Sequence, residues 1–114
     1  MNIVTAEALA LQLNLGKTSA IFADVQKRMD NTKGFNDFAK HILTLNDSLQ
    51  PIQAYVGLSN NSNYFKIKCI HSSETIQKTF QKIVYDFGEK YKINFEKIPE
   101  KNVYYMIGKD KDAA

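Results

Sequence analysis

The sequence predicts an α+β fold: N-terminal helices followed by a β-β-α-β-β unit, with an antiparallel sheet and helices packed on one of its faces. Three observations predict it. Apolar residues recur at helical spacing through roughly the first 49 residues. The period then changes to two in "IQAYVGLS" (52–59) and "YFKIKCIH" (64–71). A further helical stripe separates that pair from a second pair of short runs, "INFEKI" and "VYYMIG". Each element has one apolar side, so a two-layer packing around one core is the natural solution. The 114 residues suit a single domain. The helical part covers about 1–49, the β-β-α-β-β part about 50–108 and a polar tail 109–114.

Thr5 is the predicted N-cap of a first helix over roughly 6–14, with Glu7 placed well against the helix dipole. Gly16 interrupts. Thr18 or Ser19 caps a second helix reaching about Met29, with Ile21, Phe22, Val25 and Met29 at helical spacing. Gly34 turns the chain into a third helix whose stripe is Phe35, Phe38, Ala39, Ile42 and Leu45. "NDSLQP" (46–51) is the boundary, and Pro51 is expected to help stop the helix there.

A hairpin turning about Asn61–Ser62 sets Leu58 opposite Phe65, Val56 opposite Ile67, Ala54 opposite Cys69 and Ile52 opposite His71. This parity puts both apolar sets on one side, whereas a one-residue slip would separate them. The other face carries Gln53 and Tyr55 beside Tyr64, Lys66 and Lys68. Ser72 or Ser73 then caps a helix striped by Ile76, Phe80, Ile83, Val84, Phe87 and Tyr91. Two short strands joined by "PEKN" follow.

A chain that is 44% hydrophobic with one cysteine can bury a core without metal or disulfide. The lone thiol points to a reducing, cytoplasmic setting. No apolar run is long enough to cross a membrane, so no membrane association is expected. The first residues lack a basic segment before their apolar part and carry Glu7, so no signal peptide is expected. Net charge is +3, and its distribution is uneven. Residues 1–61 balance five basic against five acidic side chains, while 62–114 hold ten lysines against seven acids. An anionic partner fits that asymmetry.

Cys69 and His71 share a strand face and raise the prospect of a thiolate with its base. Residues two apart on a strand stand roughly 7 Å apart at the backbone, too far for a ready hydrogen bond. Their neighbours Phe65 and Ile67 mark the face as core. No CxxC, HxxxH or HExxH spacing exists, so neither metal nor other cofactor is expected. Gly16-Lys17-Thr18 matches only the end of a phosphate-binding loop: position 11 is Leu where that loop needs Gly. No carboxylate constellation suggests acid–base chemistry. The chain reads as non-enzymatic.

Two surfaces remain. "TAEALALQLNLGKTSAIFADVQKRM" resembles the helix-turn-helix of bacterial DNA-binding regulators, through Leu9, Ala10 and Leu13, a turn at Asn14–Lys17, and Ile21, Val25 and Met29. The resemblance implies that Lys17, Thr18, Ser19 and Arg28, with Lys27, face DNA. It departs at Asp24, where such helices often place an apolar residue, and its apolar positions fall one residue late. The second surface is the polar hairpin face, where Tyr55, Tyr64, Lys66 and Lys68 interleave rings for stacking with charges for phosphate. The basic-Gly-aromatic signature of RNA-recognition strands is absent. "VYYMIG" is apolar on both sides, which suits either a central strand or a sticky edge able to pair with another copy. The expected role is therefore a small accessory or regulatory protein binding DNA or RNA. The alternative is a protein-interaction module (adaptor, assembly factor or inhibitor), possibly self-associating through its sheet.

Overall fold

In the computed structural model, residues 4–60 and 62–109 are described. Four helices and four strands follow the order α1 (Ala6–Gln12), α2 (Ser19–Asn31), α3 (Phe35–Leu49), β1 (Ala54–Leu58), β2 (Phe65–Cys69), α4 (Glu74–Tyr91), β3 (Ile93–Lys97) and β4 (Val103–Lys109). The α+β architecture is the one the periodicity predicts.

Side-chain oxygens start three of the helices. Thr5 accepts from the Ala8 N–H, Thr18 from Ile21 and Ser73 from Ile76, each satisfying an otherwise orphaned donor. The first helix stops at Gln12, earlier than expected, because Asn14 adopts a positive φ of 59°. The α-helix α3 stops at Leu49, inside the expected 46–51 boundary. Pro51 itself sits in a short 3₁₀ turn, Gln50–Ile52, that follows it, where the missing proline N–H is harmless. Gln53 in the left-handed region then releases the chain into β1.

The sheet is antiparallel throughout, in the order β1-β2-β4-β3. The β1–β2 register has Leu58 opposite Phe65, Val56 opposite Ile67 and Ala54 opposite Cys69, as the apolar parity requires. The expected Ile52–His71 pair does not form. Ile52 belongs to the 3₁₀ turn, and the His71 Nδ1 accepts instead from the Ser73 N–H at 3.0 Å. Of the turn placed at Asn61–Ser62, Asn61 lies outside the described residues, as does 110–114 of the expected tail. Lys109, assigned to that tail, closes β4.

β4 is a central strand, so the edge-pairing alternative for "VYYMIG" is excluded. Its Met106 is fully buried and its Tyr104 packs on Phe80 of α4. One core runs through every element, from Leu9 and Val25 to Phe38, Ile42, Phe65, Ile67, Phe80, Val84, Ile93 and Met106. Phe35 stacks on Phe65, and Phe80 and Phe87 of α4 meet Tyr104 and Phe95. The described helices share this core on the inward face, and none of them packs on the opposite face.

α3 and α4 also meet through His41, whose ring stacks on Tyr91 at 4.2 Å and 16°. Burial, with the nearby charges of Lys40 and Lys90, lowers its pKa below 6.5. The folded state thus favours the neutral ring. As pH falls through 6.5 the unfolded chain takes up the proton first, so this contribution is full above that pH and is lost below it. The urea midpoint of the parent, relative to His41→Phe, should therefore fall between about pH 7.5 and about pH 5.5. A constant difference across that range would contradict it.

Candidate nucleic-acid interface

Alternation places Tyr55, Lys66, Lys68, Val103, Tyr105 and Ile107 on the helix-free face, and the strand registers arrange them in rows. Gly57, Lys66, Tyr105 and Glu96 cross the four strands in one row. Tyr55, Lys68 and Val103 form the next. Each lysine is therefore flanked across the ladder by an aromatic ring: Lys68 by Tyr55, Lys66 by Tyr105. Tyr64, just before β2, stacks on Tyr105 with ring centroids 6.2 Å apart. Gly57 leaves the space where Tyr55 lies, since a Cβ there would stand 3.0 Å from its ring.

Lys66 and Lys68 are half-buried, and no ion pair involves either among the described residues. Lys78, Lys82 and Lys109, by contrast, each pair with a carboxylate. A depression of about 440 Å³ lies beside them, bounded by the β3–β4 loop with Glu100 and Lys101. Three ammonium groups against one carboxylate make it a positive basin. Tyr105 and Lys101 were not among the residues singled out from sequence. Tyr105 joins the site only through the β2–β4 pairing, which no local pattern encodes.

The helical candidates lie elsewhere. Lys17, Thr18 and Ser19 are exposed at the start of α2, where the Thr18 hydroxyl accepts from the Ile21 N–H. Arg28 lies about 14 Å further along that helix. Its guanidinium donates to the Asp24, Ser59 and Ser62 carbonyls at 3.0, 2.6 and 3.4 Å. Asn31 adds a bond to the Asn63 carbonyl at 2.9 Å. The end of α2 thus holds the β1–β2 loop, and so the approach to Tyr64, in place. The exposed side of α2 also carries Asp24 and Asp30 beside Lys27, which leaves no basic stripe.

Arg28→Ala should cost about 1–3 kcal/mol of stability by removing charge-assisted bonds to half-buried carbonyls. Arg28→Lys should recover only part, since an ammonium cannot reproduce the guanidinium fork. Urea denaturation of the two variants checks this, and equal midpoints for parent and Arg28→Ala would contradict it.

Cys69 is buried in the core, and its Sγ lies 3.7 Å from the Ile52 carbonyl oxygen. His71 lies past the end of β2 at the start of α4. No group of three or more His, Cys, Asp or Glu side chains is placed to hold a metal ion among the described residues. No helix among them is long and apolar enough to cross a membrane. Comparison with protein families, with characterised proteins and with solved structures finds no match to this chain.

Proposed function

We propose that this protein is a small, non-enzymatic accessory or regulatory factor that binds single-stranded nucleic acid across its helix-free sheet face. One observation carries the reading: two lysines with no carboxylate partner among the described residues occupy successive outward positions of a central strand, each beside a tyrosine on the neighbouring strand. Lysines spaced along a strand suit successive phosphates, and the tyrosines offer rings to unpaired bases. A duplex would present its backbone but keep its bases stacked inside, so single strands gain the extra contacts. The lone buried thiol suits action in the cytoplasm.

The test is fluorescence anisotropy with labelled single-stranded and duplex DNA and RNA at two salt concentrations. Single strands should bind more tightly than duplex, and affinity should fall steeply between about 50 mM and about 300 mM salt through counterion release. No binding at low salt would sink the reading. Ile70, 65% exposed beyond the end of β2, favours the second reading, a protein partner on this face. Such a partner would bind with little dependence on salt.

A further inference from the structure

The turn between β3 and β4 is tight and strained at one residue. The Lys101 N–H donates to the Ile98 carbonyl at 3.2 Å, closing a turn with Pro99 and Glu100 at its corners. Glu100 takes a φ of 63°, a region that glycine enters freely and other residues enter at a cost. The turn is nonetheless well tied. The Cys69 N–H donates to the Asn102 carbonyl at 3.0 Å, and the Lys97 Nζ donates to that of Lys101 at 3.1 Å. Strain of this kind, kept in a well-tied turn, concentrates at ligand-binding positions. Glu100 borders the depression of about 440 Å³ that Lys66, Lys68, Lys101 and Tyr105 also line. It makes no ion pair with those lysines among the described residues. A carboxylate there repels phosphate, so it has to face another part of the ligand. Small-ligand sites occupy roughly 300–1,000 Å³, so a purine has room beside the Tyr105 ring.

We propose, on the sheet-face reading above, that this depression selects guanine in the single strand, with Glu100 as the specificity-determining residue. An ionised carboxylate only accepts hydrogen bonds, and its two oxygens lie side by side. Guanine presents two adjacent donors, N1–H and N2–H₂, on its Watson–Crick edge. Adenine, cytosine and uracil or thymine each set one donor group beside an acceptor, and that acceptor would face a carboxylate oxygen. The edge is open in a single strand and hidden in a duplex. Tyr105 supplies the stacking surface, and Lys66, Lys68 and Lys101 the charge for flanking phosphates. Glu96 faces Tyr105 from β3 but does not line the depression, which makes it the control.

Fluorescence anisotropy tests this with labelled RNA strands of about eight nucleotides, all uridine or with one central guanosine, inosine, adenosine or cytidine, and with the matching DNA set on thymidine. The guanosine strand should bind roughly tenfold to 100-fold more tightly than the adenosine, cytidine or uridine ones, in DNA as in RNA. Inosine, which lacks the N2 amino group, should fall between. Free guanosine monophosphate, with a single phosphate, should compete only at concentrations at least about 100-fold higher. Glu100→Gln should cut the guanine preference at least about tenfold and at the same time tighten binding of the all-uridine strand, because a negative charge leaves the basin. A purely structural role would weaken both. Glu100→Gly should lose the preference without a lower Tm, since glycine suits that φ, and Glu96→Gln should keep it. Equal affinity of the parent for every strand would overturn the inference and leave the sheet-face reading in place. So would a Glu100→Gln variant that keeps the preference, or guanosine monophosphate competing as well as the guanosine strand. No binding of any strand would remove both.

Discussion

Lys66→Glu combined with Lys68→Glu should abolish nucleic-acid binding while leaving the fold intact. Both side chains project from the face opposite the core, and neither pairs with a carboxylate among the described residues. Each reversal turns an attraction to phosphate into a repulsion. At about 1 kcal/mol per close pair in water, two reversals swing roughly 3 kcal/mol after screening, or about 100-fold in affinity. Neutral replacements separate charge from packing. Lys66→Gln with Lys68→Gln should make the dependence of log K on log salt shallower by about 1.4, near 0.7 for each lost single-strand phosphate contact. Tyr105→Ala should weaken binding by about 1–3 kcal/mol with the salt slope unchanged, because stacking releases no counterion. As a comparison, Lys17→Glu should leave single-strand affinity nearly unchanged. If Lys17→Glu weakened binding and the Lys66/Lys68 reversal did not, the helix-turn-helix resemblance would become the better guide.

The largest loss of stability is expected from Gly108→Ala. Near the end of β4 the chain crosses the α2–α3 connection, where Lys33 bridges to Gly108 and the Lys109 N–H donates to the Lys33 carbonyl at 2.7 Å. The Gly108 φ is +140°, and a Cβ there would stand 2.6 Å from the Lys33 backbone nitrogen. The Lys33 carbonyl oxygen would stand 3.0 Å away, and neither backbone atom is the free end of a flexible side chain, so the backbone itself must move. Strain at that φ together with the collision should cost more than about 3 kcal/mol. A Lys109–Asp37 ion pair at 3.0 Å sits at the same crossing, but it is largely exposed and does little to hold it. Calorimetry should show a fall in Tm of more than about 10 °C for a domain of this size. A shift of a degree or two would show that the crossing yields more easily than its geometry indicates.

These two predictions draw on different levels of the sequence. The lysine face is legible from local alternation: Phe65, Ile67 and Cys69 must share the core, so Lys66 and Lys68 must face away. The α+β class and most of the β1–β2 register follow from the same parity, and the caps at Thr5, Thr18 and Ser73 from side chains that compete for backbone donors. Gly108 is different. Its neighbour Lys33 is remote in sequence, and "MIGK" carries no mark of a chain crossing. Nor does "VYYMIG" say whether it is central or at an edge, since an apolar strand suits both until the strand order is known. Tyr105 enters the candidate interface for that reason alone. Arg28 shows the opposite limit. A basic residue on an amphipathic helix invites a reading as a phosphate contact, yet the fold uses its charge on the Ser59 and Ser62 carbonyls.

The central claim is that the helix-free face of the sheet is where nucleic acid lies. Titrating the isotope-labelled protein with a short single-stranded oligonucleotide, at low salt and with backbone amide shifts followed by NMR, tests it most directly. The account predicts shifts concentrated at Tyr55, Tyr64, Lys66, Lys68 and Tyr105, with Lys17, Thr18, Ser19 and the outer face of α4 unmoved. Shifts centred on the start of α2, or no shifts at all, would contradict it.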